Sequence, residues 1–306
     1  MKYHFLIAFL CTIFCSAQED TLLAIINSDV SIEKKELKID SLLSLRNQEQ
    51  PTELLADFYH NLASKWYLEN WWNNESQENI DNAIFYANKA LKIKKNLSTL
   101  EEGSLEKTLY NLGHFNYLNN DLYEATDFFL LLIRIGKYDR LVQKANLELG
   151  DIYLYLGDFY KALDRFNTYI SYFNTNMLTN SEKENFADAY IQKADTYSQM
   201  GIKNFTSEIQ SNLDKADSIL IKVNNNDIFY NNKINQLRGN LQSEIGNYKE
   251  AIKNYGKVLK DSLNLYPNEL AIVNNSIASS QIEIKNFTSA KSSLEKAISY
   301  DKNYTD

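Results

Sequence analysis

The sequence predicts an all-α fold, a right-handed superhelix of about six helical hairpins, and three observations carry that prediction. Apolar residues recur at helical spacing along most of the 306 residues, while 9 Gly and 2 Pro leave few signals for the turns of a sheet. Small residues stand at Ala63, Gly113, Gly150, Ala194, Gly239 and Ala278, each about one hairpin from the next. One turn pattern also returns: Leu156-Gly157-Asp158-Phe159-Tyr160-Lys161-Ala162, Ile245-Gly246-Asn247-Tyr248-Lys249-Glu250-Ala251 and Ile284-Lys285-Asn286-Phe287-Thr288-Ser289-Ala290. A single hairpin cannot bury its apolar face alone, so these units must stack.

In chain order, Met1 to His4 precede an apolar run from Phe5 to Cys15, which exits through Ser16-Ala17 into acidic Glu19-Asp20. This is the form of a secretory signal with cleavage after Ala17, so a periplasmic or secreted protein is expected. The run is shorter than the roughly 20 residues a bilayer span needs, and no transmembrane segment is expected in the mature chain. Phe14 before Cys15 and Leu10 before Cys11 argue against lipid anchoring. Both cysteines leave with the signal, which removes disulfides and thiolate chemistry, and His60 and His114 alone cannot build a zinc site.

Residues 18–50 are expected to form N-terminal capping helices, and residues 51–306 the repeat domain. Pro51 suits a first helical turn, where its missing N–H is no loss. The first hairpin places a helix over about 52–70 and a second carrying Ala83, Ala87 and Ala90, joined by a longer connection through Trp71 and Trp72. The second turns at Asn119-Asn120-Asp121, the third at Gly157-Asp158, the fourth beyond Gly201, the fifth at Gly246-Asn247 and the sixth at Lys285-Asn286. At such turns Gly supplies a left-handed cap, Asp or Asn caps the next helix, and the aromatic residue packs beneath. Ile202 to Ser207 repeats residue for residue at Ile284 to Ser289.

These residues resemble the tetratricopeptide repeat: a small residue and Tyr in the first helix, Gly-Asp/Asn-aromatic at the turn, Ala and an aromatic in the second. The resemblance covers roughly residues 52–300. Lengthened repeats behind a signal peptide are similar to the extracytoplasmic segments of bacterial sensor proteins and caspase-like CHAT proteins. Solenoid ends are normally covered by a polar cap, and none is evident after Tyr300, so a partner or a longer architecture is expected there.

The resemblance implies a groove lined by the first helix of each hairpin. Its positions are His60, Ser64 and Tyr67, then Tyr110, His114 and Tyr117, then Asp151 and Tyr155, then Ile191 and Asp195, then Gln236 and Asn240. Tyrosine offers contact area at modest entropy cost together with a hydrogen-bonding tip, which suits an extended peptide. Family members that clamp a terminal carboxylate use Lys and Asn where this chain has Tyr110, His114, Leu147 and Asp151, so that subtype is not expected. Asp151 and Asp195 favour a neutral or basic ligand segment. Trp66, Trp71 and Trp72 form a candidate aromatic platform, although core or loop-anchoring roles are commoner for such residues.

No phosphate-cradling Gly-rich loop, nucleophile elbow or His-Glu-x-x-His helix occurs, so no enzymatic activity, metal or other cofactor is expected. With 32 basic against 40 acidic residues and no long basic run, nucleic acid is not an expected partner. The expectation is therefore a non-enzymatic protein- or peptide-binding scaffold of the cell envelope, with a sensory or regulatory segment of a signalling or CHAT-protease-type system as the alternative.

Overall fold

The structure is a computed structural model that describes residues 20–28, 30–44, 52–72, 76–173, 179–222, 228–260 and 265–302. The expected signal peptide lies outside these residues. The described chain is helical, and it divides into two compact units, residues 1–145 and 146–306.

In the first unit, α1 (residues 20–26) and α2 (Ile32–Ser44) precede two hairpins. These are α3 (Glu53–Trp72) with α4 (Gln77–Lys94), and α5 (Ser104–Leu118) with α6 (Leu122–Ile135). Ile39 of α2 is fully buried, and Glu36 accepts hydrogen bonds from Tyr86 Oη at 3.0 Å and Lys89 Nζ at 2.8 Å on α4. At the far end of α4, the buried Lys94 ties three elements together. Its Nζ pairs with Asp57 Oδ1 of α3 at 2.9 Å and donates to the Ser104 carbonyl of α5 at 3.1 Å.

The remaining hairpins pair α7 (Asp139–Tyr155) with α8 (Phe159–Phe173), and α9 (Asn180–Gly201) with α10 (Thr206–Lys222). The last two pair α11 (Ile228–Glu244) with α12 (Tyr248–Lys260), and α13 (Pro267–Glu283) with α14 (Phe287–Lys302). The six hairpins expected from the sequence are all present. A core of the second unit runs from Ala162 and Phe166 on α8 through Ala187, Ile191 and Ala194 on α9 to Ile209 and Leu213 on α10, then to Ile234 and Leu237 on α11. α9 starts with a reciprocal cap: Thr179 Oγ1 accepts from Glu182 N at 3.3 Å, and Thr179 N donates to the Glu182 carboxylate at 2.8 Å.

Glycine sets the distance between the two helices of three hairpins. A Cβ at Gly113 would lie 2.5 Å from the Phe129 ring, and Cβ atoms at Gly150 and Gly239 would lie 2.6 Å from Cδ1 of Phe166 and of Tyr255. In each case the ring comes sixteen residues later in the chain, so one register of close approach recurs.

Four turns share one geometry. Asp121, Asp158, Asn247 and Asn286 each donate a backbone N–H at 2.8 Å to the carbonyl five residues earlier, closing the preceding helix. The residue before each has positive φ: Asn120 at 59°, Gly157 at 76°, Gly246 at 83° and Lys285 at 60°. Asp121, Asp158 and Asn286 then accept from the backbone N–H three residues on, while Asn247 instead donates its amide to Gln242. Phe159 packs on the core as expected, but Phe287 is 64% exposed.

The fourth turn differs. Gly201 takes φ 131°, and Ile202–Asn204 follow as a 3-10 turn before α10 begins at Thr206. The identical residues at Ile284 to Ser289 instead close α13 and open α14 at Phe287. Where the positive φ falls, at Gly201 or at Lys285, decides which structure the shared hexapeptide adopts.

Candidate functional site

Within the first unit, the leading helices α3 and α5 present the expected residues side by side. Spacings of four and three residues put His60, Ser64 and Tyr67 on one face of α3, and Tyr110, His114 and Tyr117 on one face of α5. The two faces are joined by side-chain contacts. His60 Nδ1 lies 3.1 Å from Thr108 Oγ1, Asn111 Nδ2 donates to Ser64 Oγ at 3.3 Å, and His114 Nε2 lies 3.3 Å from Tyr67 Oη. The His114 ring sits edge-on to Tyr67 at 5.5 Å and stacks in parallel on Tyr110 at 6.1 Å. Lys144 places its ammonium 6.0 Å over the Tyr110 ring.

Burial, and then the neighbouring Lys94 ammonium, lower the His60 pKa to about 4. The imidazole is therefore neutral at physiological pH, and His60 works as a fixed hydrogen-bonding group, not as a pH sensor. Tyr117 is half-buried one heptad along α5 from Tyr110. Thr108 and Asn111, which complete the strip, were not expected from the sequence, because their partners lie on the other helix. Of the three tryptophans, Trp66 is half-buried with its Nε1 sealed from solvent and without a hydrogen-bond partner. The Trp71 and Trp72 side chains lie outside the described ones.

The corresponding face of the second unit is acidic. On α7, Asp151 Oδ1 is sealed from solvent and has no hydrogen-bond partner, while Tyr155 one turn later is 73% exposed. Asp195 on α9 accepts from Lys233 Nζ of α11 at 2.6 Å, and Gln199 donates to its other oxygen at 3.4 Å. Asn240 turns toward its own hairpin partner, where its Oδ1 accepts from Tyr255 Oη at 2.8 Å.

Asp188 and Lys233 are the residues the sequence reading missed. Burial raises the Asp188 carboxyl to about 7, with Lys233 opposing and Glu148 reinforcing the shift. Burial also pushes Asp151 well above the usual carboxylate range, reinforced by Asp188 and Glu148 and opposed by Lys233. Asp188 and Lys233 stand seven residues before Asp195 and Asn240, as His60 stands before Tyr67, so the same spacing would have found them. Ile191 is a correction. It is fully buried and does not face a groove, because Ala187, Ile191 and Ala194 form the i, i+4, i+7 stripe that packs α9 into the core.

Two of the cavities in this unit bear on the expected residues. One of about 540 Å³ is lined by residues of α11, α12 and α13 and includes Gln236, Asn232 and Lys233. A broader recess of about 1040 Å³ lies over α10, the middle of α9 and the end of α11, lined by Tyr190, Gln210, Asp214, Lys215 and Gln242 among others, and holds none of the expected groove residues. Among the described residues, no cluster of three His, Cys, Asp or Glu side chains is arranged to hold a metal ion. No described helix is long and apolar enough to cross a membrane.

The tetratricopeptide repeat family matches residues 233–260 and 271–304, the fifth and sixth hairpins. No curated protein matches the chain. Among solved structures, the fold is similar to the apo form of RapI, with a TM-score of 0.57 and 15% identity over 89% of this chain and 91% of that one. It is also similar to a tetratricopeptide repeat protein from Parabacteroides merdae, with a TM-score of 0.54 and 16% identity over 79% of both chains. A third is NprR in complex with its cognate peptide NprX, with a TM-score of 0.54 and 16% identity over 94% of this chain and 78% of that one. At these identities the likeness is one of fold: an all-α, tetratricopeptide-like superhelix.

Proposed function

We propose that the chain is a non-enzymatic scaffold that binds a protein or peptide segment on the faces of its leading helices. The face in residues 146–306 takes a neutral or basic segment. The observation that carries this reading is the charge imbalance there: Asp151, Asp188 and Asp195 gather on this face, and Lys233, which pairs with Asp195 at 2.6 Å, is the cation among the described residues that opposes the upward shifts of Asp151 and Asp188. A ligand ammonium or guanidinium would supply the missing positive charge and let Asp151 and Asp188 ionise at neutral pH. The fold shared with NprR, whose structure holds a bound peptide, supports the ligand class.

We further propose that residues 1–17 direct the protein to the cell envelope and are removed. That step is tested by N-terminal sequencing of the exported protein, which should begin at Gln18; a cytosolic chain with Met1 intact would overturn it.

The binding reading is tested by probing a randomised peptide array with the chain lacking residues 1–17. Bound peptides should be enriched in Lys and Arg, and the double variant Asp151→Asn/Asp188→Asn should lose that enrichment. No enrichment, or enrichment that survives the double variant, would refute the assignment.

A further inference from the structure

The groove between the two helices of a hairpin is the seat of the next leading helix. In the third hairpin, Leu147 of α7 and Phe166, Tyr169 and Ile170 of α8 are buried there in one core with α9. In the fifth, Tyr255 and Val258 of α12 are buried together with Val273 and Ile277 of α13. The sixth hairpin repeats these positions, but no described helix follows α14. Ala278 and Leu294 stand where the third hairpin has Gly150 and Phe166, so Ile298 corresponds to Ile170. Ile170 is 7% exposed and Ile298 54%. Ile272, on α13, is likewise half exposed.

The open seat fits its own copy. Ala271, Asn275, Leu294 and Ala297 form a hollow of about 300 Å³, with Ile272 and Ile298 also in its wall. The alanines leave the space and the isoleucines project from the same surface. A second copy turned about a two-fold axis therefore brings an isoleucine for the hollow and a hollow for the isoleucine, which is the condition for an isologous contact. None of these six residues is charged. At the edge of the seat, exposed Lys291 and Glu295 on α14 supply one charge of each sign, and they meet each other only at 3.9 Å. A second copy is thus not repelled, and each charge finds its opposite on the other chain.

The area is sufficient as well. α13 and α14 have 17 and 16 residues, so together they present a face about 25 Å long and about 20 Å wide. Two such faces bury about 1,000 Å² in total, the lower bound for a specific protein interface.

We propose that the end face formed by α13 and α14 is a homodimer interface, in which two copies of the chain pack isologously through Ile272 and Ile298. The proposal concerns a different surface from the peptide-binding faces and stands or falls independently of them.

An interface of this size is expected to hold with a Kd on the order of 10 μM. Sedimentation equilibrium of the chain lacking residues 1–17 should give twice the monomer mass at about 200 μM and the monomer mass at about 1 μM. Ile298→Glu should weaken the dimer at least about tenfold. Ile221→Glu, at an isoleucine 72% exposed on α10, should leave it unchanged. Without residues 1–17 the chain has no cysteine, so Ile298→Cys introduces a single thiol. A short bismaleimide should join that thiol to its counterpart in the second copy, while Ile221→Cys stays unjoined. A monomer at about 200 μM would overturn the proposal and leave the face to a different partner. A dimer that survives Ile298→Glu, or equal crosslinking at the two cysteine positions, would overturn it too. Crosslinking decides the matter even where Ile298→Glu fails to fold.

Discussion

Replacing Gly150 by Ala should destabilise the protein although Ala is the better helix former. A Cβ at this position would lie 2.6 Å from Phe166 Cδ1, whereas unstrained carbon contacts lie at about 3.5–4.0 Å. The ring must therefore move by about 1 Å within a packed core, at a typical overpacking cost of about 1–3 kcal/mol. The gain in helix propensity offsets about 1 kcal/mol of this, leaving a net loss of up to about 2 kcal/mol. Gly256, in the middle of α12, supplies the control: no atom lies within 4 Å of its Cβ position, so Gly256→Ala should stabilise by about 1 kcal/mol.

The sixth hairpin shows the compensation, with Ala278 followed sixteen residues later by Leu294, where the third has Gly150 and Phe166. Gly150→Ala combined with Phe166→Leu should therefore recover stability relative to the two separate losses, with a coupling of at least about 1 kcal/mol. Urea unfolding followed by circular dichroism measures all four variants. A Gly150→Ala protein stabilised as much as Gly256→Ala, or additive effects in the double variant, would refute close packing as the reason for glycine.

Two further predictions concern charge. The His60 pKa is lowered to about 4, so its contribution is present above the ordinary histidine value and lost as pH falls toward 4; Asp188 is raised to about 7, so its contribution is present below the ordinary aspartate value and lost as pH rises through about 7. Hydrogen exchange should therefore loosen around α3 and α5 on acidification and around α9 as pH rises through neutrality, the second trend vanishing in Asp188→Asn. Lys94→Met should cost about 1–3 kcal/mol by removing the Lys94 hydrogen bond to the Ser104 carbonyl and the ion pair with Asp57. It should also raise the His60 pKa measured by NMR without restoring it fully, because burial is the larger cause.

Helix positions and turns were legible because they depend on local chemistry. Gly157 and Gly246 take the positive φ that their place in the turn requires, and Asn120 and Lys285 do so in the two copies that lack glycine. The hexapeptide shared by Ile202 and Ile284 marks the limit of local reading, since its structure is decided by where the preceding helix ends. The site was legible in part. In the first unit His60, Ser64, Tyr67, Tyr110 and His114 enter one contact strip, because the spacing along α3 and α5 fixes their faces. Ile191 was misplaced because it shares its stripe with Ala187 and Ala194. The exposure of Ile298 could not be read from its spacing, which is that of the buried Ile170 in the third hairpin.

The most direct test of the central claim is to locate a bound segment. Hydrogen exchange of the chain with and without a basic peptide selected from the array should show new protection on the leading helices α7, α9 and α11. Protection confined to the trailing helices α10 and α12 would contradict the account.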